Sequence, residues 1–283
     1  MEQFNSYPLN AFSATVAKAF GIEPPALAHP PLDWVVEALG DYCKEGYDRL
    51  LFFCPDATGM RFYKKYPDAF APVLKNTQIT VPFLTPMPPV TPVCFGTMFT
   101  GAEPAEHGIV VYEKRTLTVD TLFDALLRAG KKVAIVSQEY CSMSTLFLDR
   151  GIDLYNAQPE GNIITTAQTL IAEDNYDVIL VYAYMVDFLD HWRGPDHPET
   201  VSAVYNMGIY FDNLISTVRR NWKNHNTLVT FSPDHGCHAV RKERPNGKIL
   251  LGDHHDDIPD DRNILHFIGS VIGENHKPKE EVY

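Results

Sequence analysis

Three apolar segments, each ending at an aspartate, constrain the fold of this chain more than any other feature. They cover residues 49–56, 177–187 and 227–234, and they end at Asp56, Asp187 and Asp234. Short apolar runs rich in Val, Ile, Phe and Tyr are typical of buried strands in a parallel sheet. Because the carboxyl ends of parallel strands meet at one edge, we expect these carboxylates to lie together at a ligand-binding edge. Their mutual repulsion predicts a cation among them.

The rest of the chain alternates between helical and strand patterns. Helices are predicted over about residues 11–20, 32–44, 92–99, 119–129, 162–173 and 198–220, and a further strand over 132–137. This alternation predicts an α/β fold, doubly wound, with a mostly parallel central sheet and helices on both faces. We predict a single domain over residues 1–283, with an N-terminal helical lead-in at 1–48 and a core at about 49–270. The proline-rich segment 81–92 is expected to exclude both helix and central strand.

Charge and cysteine content exclude several classes of protein. The net charge of −12 argues against binding a nucleic acid polymer, because phosphate contacts need clustered Lys and Arg. The chain has five cysteines, an odd number, and no Cys-x-x-Cys spacing, which argues against a disulfide framework. The N-terminus lacks a basic start followed by an apolar core, and no apolar run approaches the ~18–20 residues of a membrane span. We therefore expect a soluble, cytoplasmic protein without a membrane partner. No feature of the sequence predicts an oligomeric state.

Histidines accompany two of the three aspartates. His191 follows Asp187 by one helical turn, and His235 comes directly after Asp234. Mixed imidazole and carboxylate ligands suit zinc or manganese better than calcium, which prefers oxygen throughout. The alternatives are a turn or helix cap for Asp56 and a surface i,i+4 pair for Asp187 and His191. Asp190 is a competing carboxylate, but on a helix it points away from Asp187 and His191.

Thr91 precedes Pro92 at the predicted start of a helix, which makes it a candidate helix N-cap. A hydroxyl at this position also lies where backbone N–H groups favour an anion. A cation beside that hydroxyl would lower its pKa and make it a nucleophile. Thr85 is the local competitor, but another proline-rich turn follows it rather than a helix.

The order of these elements resembles the alkaline phosphatase superfamily, in particular its type I phosphodiesterase/nucleotide pyrophosphatase branch. The resemblance spans roughly residues 50–268 and includes Thr-Pro at 91–92, His-Gly-Ile at 107–109, Asp-His-Gly at 234–236 and Gly-Asp-His at 252–254. It implies two metal sites, the first held by Asp187, His191 and His254 and the second by Asp56, Asp234 and His235. It also implies that Thr91 is the nucleophile and faces the second metal. His255 is the alternative to His254.

Two departures from the family pattern stand out. Many relatives carry a large insertion before the last histidine, whereas 18 residues separate His235 from His254 here, which predicts a domain without a large cap. The turn after Asp56, Ala57-Thr58-Gly59, is one residue longer than usual.

The resemblance implies a metal-dependent phosphohydrolase of the phosphodiesterase or nucleotide pyrophosphatase type. It would act on a small phosphorylated substrate through a phosphothreonine at Thr91, with two divalent ions of zinc, manganese or iron. Phosphonate hydrolase and phosphomutase activities are alternatives on the same scaffold. A metal-stabilised binding protein without activity is the alternative from another class. Phe95 and Tyr112 are candidate substrate contacts.

Overall fold

An eight-stranded sheet forms the centre of the molecule. The computed structural model describes residues 3–245 and 247–276. Its strands are β1 Tyr7–Pro8, β2 Arg49–Pro55, β3 Ile79–Leu84, β4 Val133–Ser137, β5 Asp153–Asn156, β6 Val178–Ala183, β7 Thr227–Phe231, β8 His238–Glu243, β9 Ile249–Asp253 and β10 Asn263–Val271. Its α-helices are α1 Ala11–Ala19, α2 Asp33–Tyr42, α3 Met60–Lys65, α4 Ala71–Leu74, α5 Thr91–Thr100, α6 Pro104–His107, α7 Leu122–Arg128, α8 Ser142–Leu146, α9 Glu160–Glu173, α10 Met185–Arg193, α11 Pro198–Asn221 and α12 Pro259–Arg262. Short 3₁₀ turns cover Pro67–Phe70 and Glu274–His276.

The strand order is β1-β3-β10-β7-β2-β6-β4-β5. All neighbours are parallel except β10, which runs antiparallel to both β3 and β7. The three apolar segments noted in the sequence form the adjacent central strands β7, β2 and β6. Their ends are in register, with Phe53 opposite Phe231 and Pro55 opposite Ala183. The sheet therefore brings the residues after these strands to one edge.

Helices cover both faces of the sheet, which confirms the predicted doubly wound α/β class. Side chains alternate along β2, where Phe52 points into one core layer and Phe53 into the other. The first layer includes side chains of α1, α2, α5 and α7, and the second includes those of α9 and α11. The predicted lead-in segment contributes β1, α1 and α2, and α1 places Phe12 against Phe52.

The segment 81–92, expected to exclude helix and central strand, joins the sheet at its first residues. β3 runs from Ile79 to Leu84 and includes Pro82, which lies opposite Leu265 of β10. On the other side β1 has only two residues, and these pair with Phe83 and Leu84. Pro82 therefore has a strand neighbour on one side only, so its missing N–H costs the sheet no hydrogen bond there.

Two local predictions shift by a few residues. β6 ends at Ala183, so Asp187 lies in the first turn of α10 and not at the strand end. Helix α5 begins at Thr91 itself, with Val90 as the N-cap and no side-chain capping bond. Thr91 is thus the first helical residue rather than the cap.

A two-stranded hairpin, β8–β9, occupies the short connection between His235 and His254. The connection adds no further domain, in agreement with the prediction of a fold without a large cap. All five cysteines are buried and free. Within the described ranges, no helix has the length and apolar character needed to span a membrane.

Candidate metal centre

The structure brings all seven predicted site residues together at the carboxyl edge of β2, β6 and β7. They are contributed by the loops after β2 and β7, by the first turn of α5, by α10 and by the residue that follows β9. Their side chains form two clusters, described next. Binding of metal by these residues stays a prediction.

The Asp187 cluster consists of Asp187, His191 and His254. Asp187 and His191 lie one turn apart on α10, and Asp187 Oδ1 is 3.5 Å from His191 Nε2. The same oxygen is 3.3 Å from His254 Nε2. The three ligand-type atoms lie within 4.8 Å of one another, which is close enough to share one cation.

The Asp234 cluster consists of Asp56, Asp234 and His235. His235 Nε2 is 3.3 Å from Asp56 Oδ1 and 3.3 Å from Asp234 Oδ2. Thr91 Oγ1 lies 3.4 Å from the same nitrogen. The candidate nucleophile therefore contacts this cluster, as the family resemblance implies.

The two clusters adjoin each other. A carboxylate oxygen of Asp187 also lies within 4.8 Å of ligand-type atoms of Asp56 and His235. The rings of His235 and His254 stack with centroids 4.0 Å apart. Asp187 thus faces both clusters.

The histidine tautomers support cation binding. In His191, His235 and His254 the Nδ1 atom faces a backbone carbonyl oxygen, at 3.0, 2.9 and 2.8 Å respectively. Because a carbonyl oxygen only accepts, each Nδ1 carries the proton and donates it. In its neutral form each ring then directs the Nε2 lone pair at carboxylate oxygens, which are also acceptors. This is the arrangement that orients histidine ligands in metalloproteins.

Three buried carboxylate oxygens in the clusters have no hydrogen-bond donor among the described residues. They are Asp56 Oδ1, Asp187 Oδ1 and Asp234 Oδ2. The second oxygen of Asp56 accepts from Tyr182, and that of Asp234 accepts from the Ala57 N–H at 3.2 Å. A buried charged oxygen without a donor is costly unless a cation faces it. The residues present therefore fit a pair of divalent cations.

The pKa values report the same electrostatic conflict. Burial, together with repulsion from Asp234 and Asp187, raises the pKa of Asp56 well above its usual value. Burial also raises the pKa of Asp234 to about 8. Burial would lower the pKa of His254, but the Asp187 carboxylate, 3.3 Å from its Nε2, outweighs this and raises the pKa to about 9. Without a cation, the raised pKa values mean that these side chains hold protons that offset the clustered negative charge. A bound cation would supply that positive charge instead.

Two contacts hold together the loops that carry Asp56 and Asp234, one a hydrogen bond and the other a close approach of the backbones. Ala57 adopts a positive φ of 54°, which turns its N–H toward Asp234. A Cβ on Gly59 would lie 2.4 Å from the Gly236 Cα, so only glycine allows these loops to approach. The extra residue in the turn after Asp56 thus supplies a hydrogen bond to the neighbouring loop.

Two residues that hold the site in place, Tyr182 and Glu160, were not predicted from the sequence. The Tyr182 hydroxyl, buried on β6, donates to Asp56 Oδ2, and its pKa is raised well above the usual value by burial, so it stays a donor. Glu160, at the start of α9, accepts from the N–H groups of Tyr184 and Met185, both at 2.8 Å. Glu160 therefore holds the beginning of α10, the helix that carries Asp187 and His191. No local pattern marks either role, because each depends on a strand or helix distant in sequence.

The structure separates the remaining candidates from the site. The His255 side chain is 49% exposed and contacts Asp253 at 2.6 Å, so His254 is the histidine that lies in the cluster. Asp190 is fully buried on the face of α10 that packs against Gly252, where a Cβ on that glycine would meet its carboxylate at 2.3 Å. Phe95 packs in the core against Tyr182 rather than facing substrate.

A cavity of about 290 Å³ opens onto the clusters. Thr91, Asp56, Asp187 and His191 form its floor, and aromatic rings surround it: Tyr112, Tyr140, Tyr182, Tyr184, Phe188 and Trp192. Lys114 also lines the cavity, and its ammonium donates to the Tyr140 carbonyl at 2.9 Å.

The fold is the one that the sequence resemblance predicts, because it matches solved structures of a nucleotide pyrophosphatase/phosphodiesterase and of a phosphonoacetate hydrolase. The structure is similar to murine ectonucleotide pyrophosphatase/phosphodiesterase 5, with a TM-score of 0.63, 15% identity, and coverage of 78% of this chain and 88% of that one. The human protein of the same name gives a TM-score of 0.59 at 14% identity, with coverage of 78% and 87%. Phosphonoacetate hydrolase from Sinorhizobium meliloti 1021 gives a TM-score of 0.50 at 18% identity, with coverage of 72% and 60%.

At these identities the comparisons establish the fold alone. Neither a protein-family sequence model nor a curated protein sequence matches the chain significantly. Activity therefore has to be argued from the site.

Proposed function

We propose that this protein is a metal-dependent phosphohydrolase that cleaves small phosphodiesters or nucleotide pyrophosphates through Thr91. The observation that carries the proposal is the donor set of the two clusters. Three histidines present Nε2 lone pairs and three buried carboxylates present unpaired oxygens beside one hydroxyl. A protein that only bound metal for stability would not need a threonine hydroxyl at the open floor of the cavity.

The residues divide into distinct roles. Asp187, His191 and His254 would hold one divalent cation, and Asp56, Asp234 and His235 the other, with Thr91 beside the second. When bound, the cations would lower the pKa of the reacting hydroxyl and water and neutralise charge developing on phosphorus-bound oxygens. Thr91 attacks phosphorus in line with the leaving group, and water later attacks the phosphothreonine from the other side. Tyr182 keeps Asp56 oriented, and Glu160 keeps α10 in place.

Charge in the cavity favours a diester. Before Thr91 loses its proton, three carboxylates and two divalent cations would leave one net positive charge, which matches a phosphodiester monoanion. A phosphomonoester dianion would require another cation. Among the described residues that line the cavity, Lys114 is the only lysine or arginine, and Glu139 lines the same cavity. The local field therefore suits one negative charge on the substrate.

The murine phosphodiesterase with the similar fold supports this class of substrate. That protein is described in complex with AMP as an inactive variant in which alanine replaces a threonine. Applied to this chain, the comparison supports a threonine nucleophile and a nucleotide-sized ligand.

The proposal is tested by turnover of bis-p-nitrophenyl phosphate after loading with zinc or manganese. Thr91→Ala should lower kcat by roughly 10⁴-fold or more, the order expected when the nucleophile of a covalent hydrolase is removed. Thr91→Ser should keep measurable activity, because the hydroxyl survives. Thr85→Ala is the matched control, since Thr85 is buried and does not line the cavity. Acid quenching and mass spectrometry should locate the phosphoryl group on Thr91; near wild-type turnover by Thr91→Ala would refute the proposal.

Phosphonate hydrolysis is the second candidate function, because the fold is also similar to phosphonoacetate hydrolase. The same screen decides between them when phosphonoacetate is included. Phosphate release from phosphonoacetate without release of nitrophenol from the diester would favour this second function.

A further inference from the structure

A second concavity lies beside the metal cavity, between α10 and the β8–β9 hairpin. We call it the α10 groove; it has a volume of about 600 Å³ and is lined by Phe188, Leu189, Trp192, Arg193, Lys248 and Ile249. Phe188 is 51% exposed and Ile249 41% exposed, although both are large hydrophobic residues. Exposed apolar surface of this kind marks a binding groove when it is contiguous.

The groove is continuous with the metal cavity. Phe188 and Trp192 line both the groove and the metal cavity. Both residues lie on the same helix as Asp187 and His191. A molecule bound at the metal centre could therefore extend across Phe188 and Trp192 into the groove.

Cations gather around this groove although the protein carries a net charge of −12. The Lys248 ammonium lies 5.2 Å from the centroid of the Trp192 ring, and the Arg244 guanidinium carbon lies 5.9 Å from it. Residues 238–249 include four Lys or Arg and one acidic residue. An apolar surface with cations at its rim complements an anionic molecule that carries an apolar chain.

The position of the groove relative to Thr91 indicates which part of a substrate it would receive. Thr91 contacts the Asp234 cluster, whereas the groove adjoins the Asp187 cluster through α10. In an in-line displacement the leaving group departs on the side opposite the nucleophile. The groove thus lies on the leaving-group side.

We propose that the α10 groove binds the leaving alcohol of phosphodiesters in which that alcohol carries an apolar chain. This inference rests on the proposed function and names its substrate class. In the first step the bond from Thr91 Oγ1 to phosphorus forms, the bond from phosphorus to the alkyl oxygen breaks, and the released alkoxide takes a proton from water. The threonine proton passes to solvent. Water then adds to phosphorus, the bond from phosphorus to Thr91 Oγ1 breaks, one proton of this water returns to Thr91 Oγ1, and the remaining hydroxyl stays on the phosphate product.

The test uses ethyl and octyl esters of thymidine 5′-monophosphate, whose alcohols are similar in intrinsic reactivity. The metal-loaded enzyme should hydrolyse the octyl ester with a kcat/KM at least about tenfold above that of the ethyl ester, because the longer chain buries apolar surface in the groove. Chromatography should identify thymidine monophosphate and octanol as products. Ile249→Asn should reduce the octyl-to-ethyl ratio toward one. Ile209→Asn is the matched control, because Ile209 is 49% exposed on α11 and lies outside the groove, and it should keep the ratio.

The outcomes separate this inference from the proposed function. Hydrolysis of both esters at equal kcat/KM would overturn the groove assignment and leave the phosphodiesterase proposal standing. Release of thymidine and octyl phosphate would also overturn it, because the chain would then be on the retained side. Binding of the wild-type protein to anionic vesicles, abolished by Ile249→Asn but without chain-length dependence, would make the groove a membrane contact instead. Failure to cleave either ester or bis-p-nitrophenyl phosphate would count against the proposed function itself.

Discussion

Metal binding should stabilise this protein strongly, because each of the three buried carboxylates has one oxygen without a hydrogen-bond donor among the described residues. A ligand that binds only the folded state at a thousand times its Kd contributes about 4.1 kcal/mol. The entropy of unfolding scales with length at about 2.1 cal/mol/K per residue, which amounts to about 0.6 kcal/mol/K for 283 residues. Each occupied site should therefore raise Tm by roughly 7 °C, and two sites by roughly 14 °C.

Calorimetry on chelator-treated protein, with and without added zinc or manganese, measures this shift, and elemental analysis counts the ions. For each variant, the Tm with metal is compared with the Tm of the same variant without metal. A change in the stability of the metal-free protein then cancels. His191→Ala should lose about one half of the shift and one ion, since it weakens one cluster only. Asp187→Asn should lose most of it, because Asp187 faces both clusters.

The control is His255→Ala, next to His254 but outside both clusters. It should keep two ions and the full shift. Equal Tm values for wild-type protein with no metal and with saturating metal would refute the reasoning. A loss of one ion in His255→Ala but not in His254→Ala would show that the two histidines have been assigned the wrong way round.

Three further perturbations test single contacts. Thr91→Ala should change the free energy of unfolding by less than about 0.5 kcal/mol in urea titrations, because its hydroxyl makes no capping bond; a loss in the 0.5–2 kcal/mol range of a helix cap would contradict this. Tyr182→Phe should lower metal affinity or kcat by about 10–100-fold with an unchanged circular dichroism spectrum, since Asp56 loses its donor; wild-type behaviour in both would show the bond to be dispensable. Burial raises the pKa of Glu160 from its ordinary value of 4.5 to about 7 in the folded state. The protonated side chain therefore contributes to the free energy of unfolding below about pH 4.5, and this contribution is lost as the pH rises to about 7. Relative to Glu160→Gln, chelator-treated wild type should lose about 3 kcal/mol between those pH values, and a flat or rising difference would argue against the raised pKa.

The central part of the fold could be predicted because its signal is local. β2, β6 and β7 are apolar runs of strand length, and each is followed within a few residues by a ligand-type side chain. β10 was not predicted, and its antiparallel pairing on both sides depends on strands far away in the chain. The rule that excludes proline from sheets holds for positions with two strand neighbours, and only the completed sheet shows that β1 does not reach Pro82.

The same distinction applies to the site. The resemblance in order and spacing predicted that Asp56, Asp187 and Asp234 meet His191, His235 and His254, and the structure brings these side chains together, whereas their binding of metal stays a prediction. The support of these residues could not, because Tyr182 on β6 reaches Asp56 after β2, and Glu160 on α9 reaches the start of α10. Such contacts join residues 24 to 126 positions apart in the chain.

Interlocking of the loops explains how the clusters keep their geometry without a covering cap. Gly59 and Gly236 bring the loops after β2 and β7 into backbone contact, and the Ala57 N–H ties the first loop to Asp234. Gly252 packs against Asp190 of α10, so the hairpin that leads to His254 rests on the helix that carries Asp187. Each element that carries a predicted ligand is thus held by another one, which would fix the donor atoms before a cation binds.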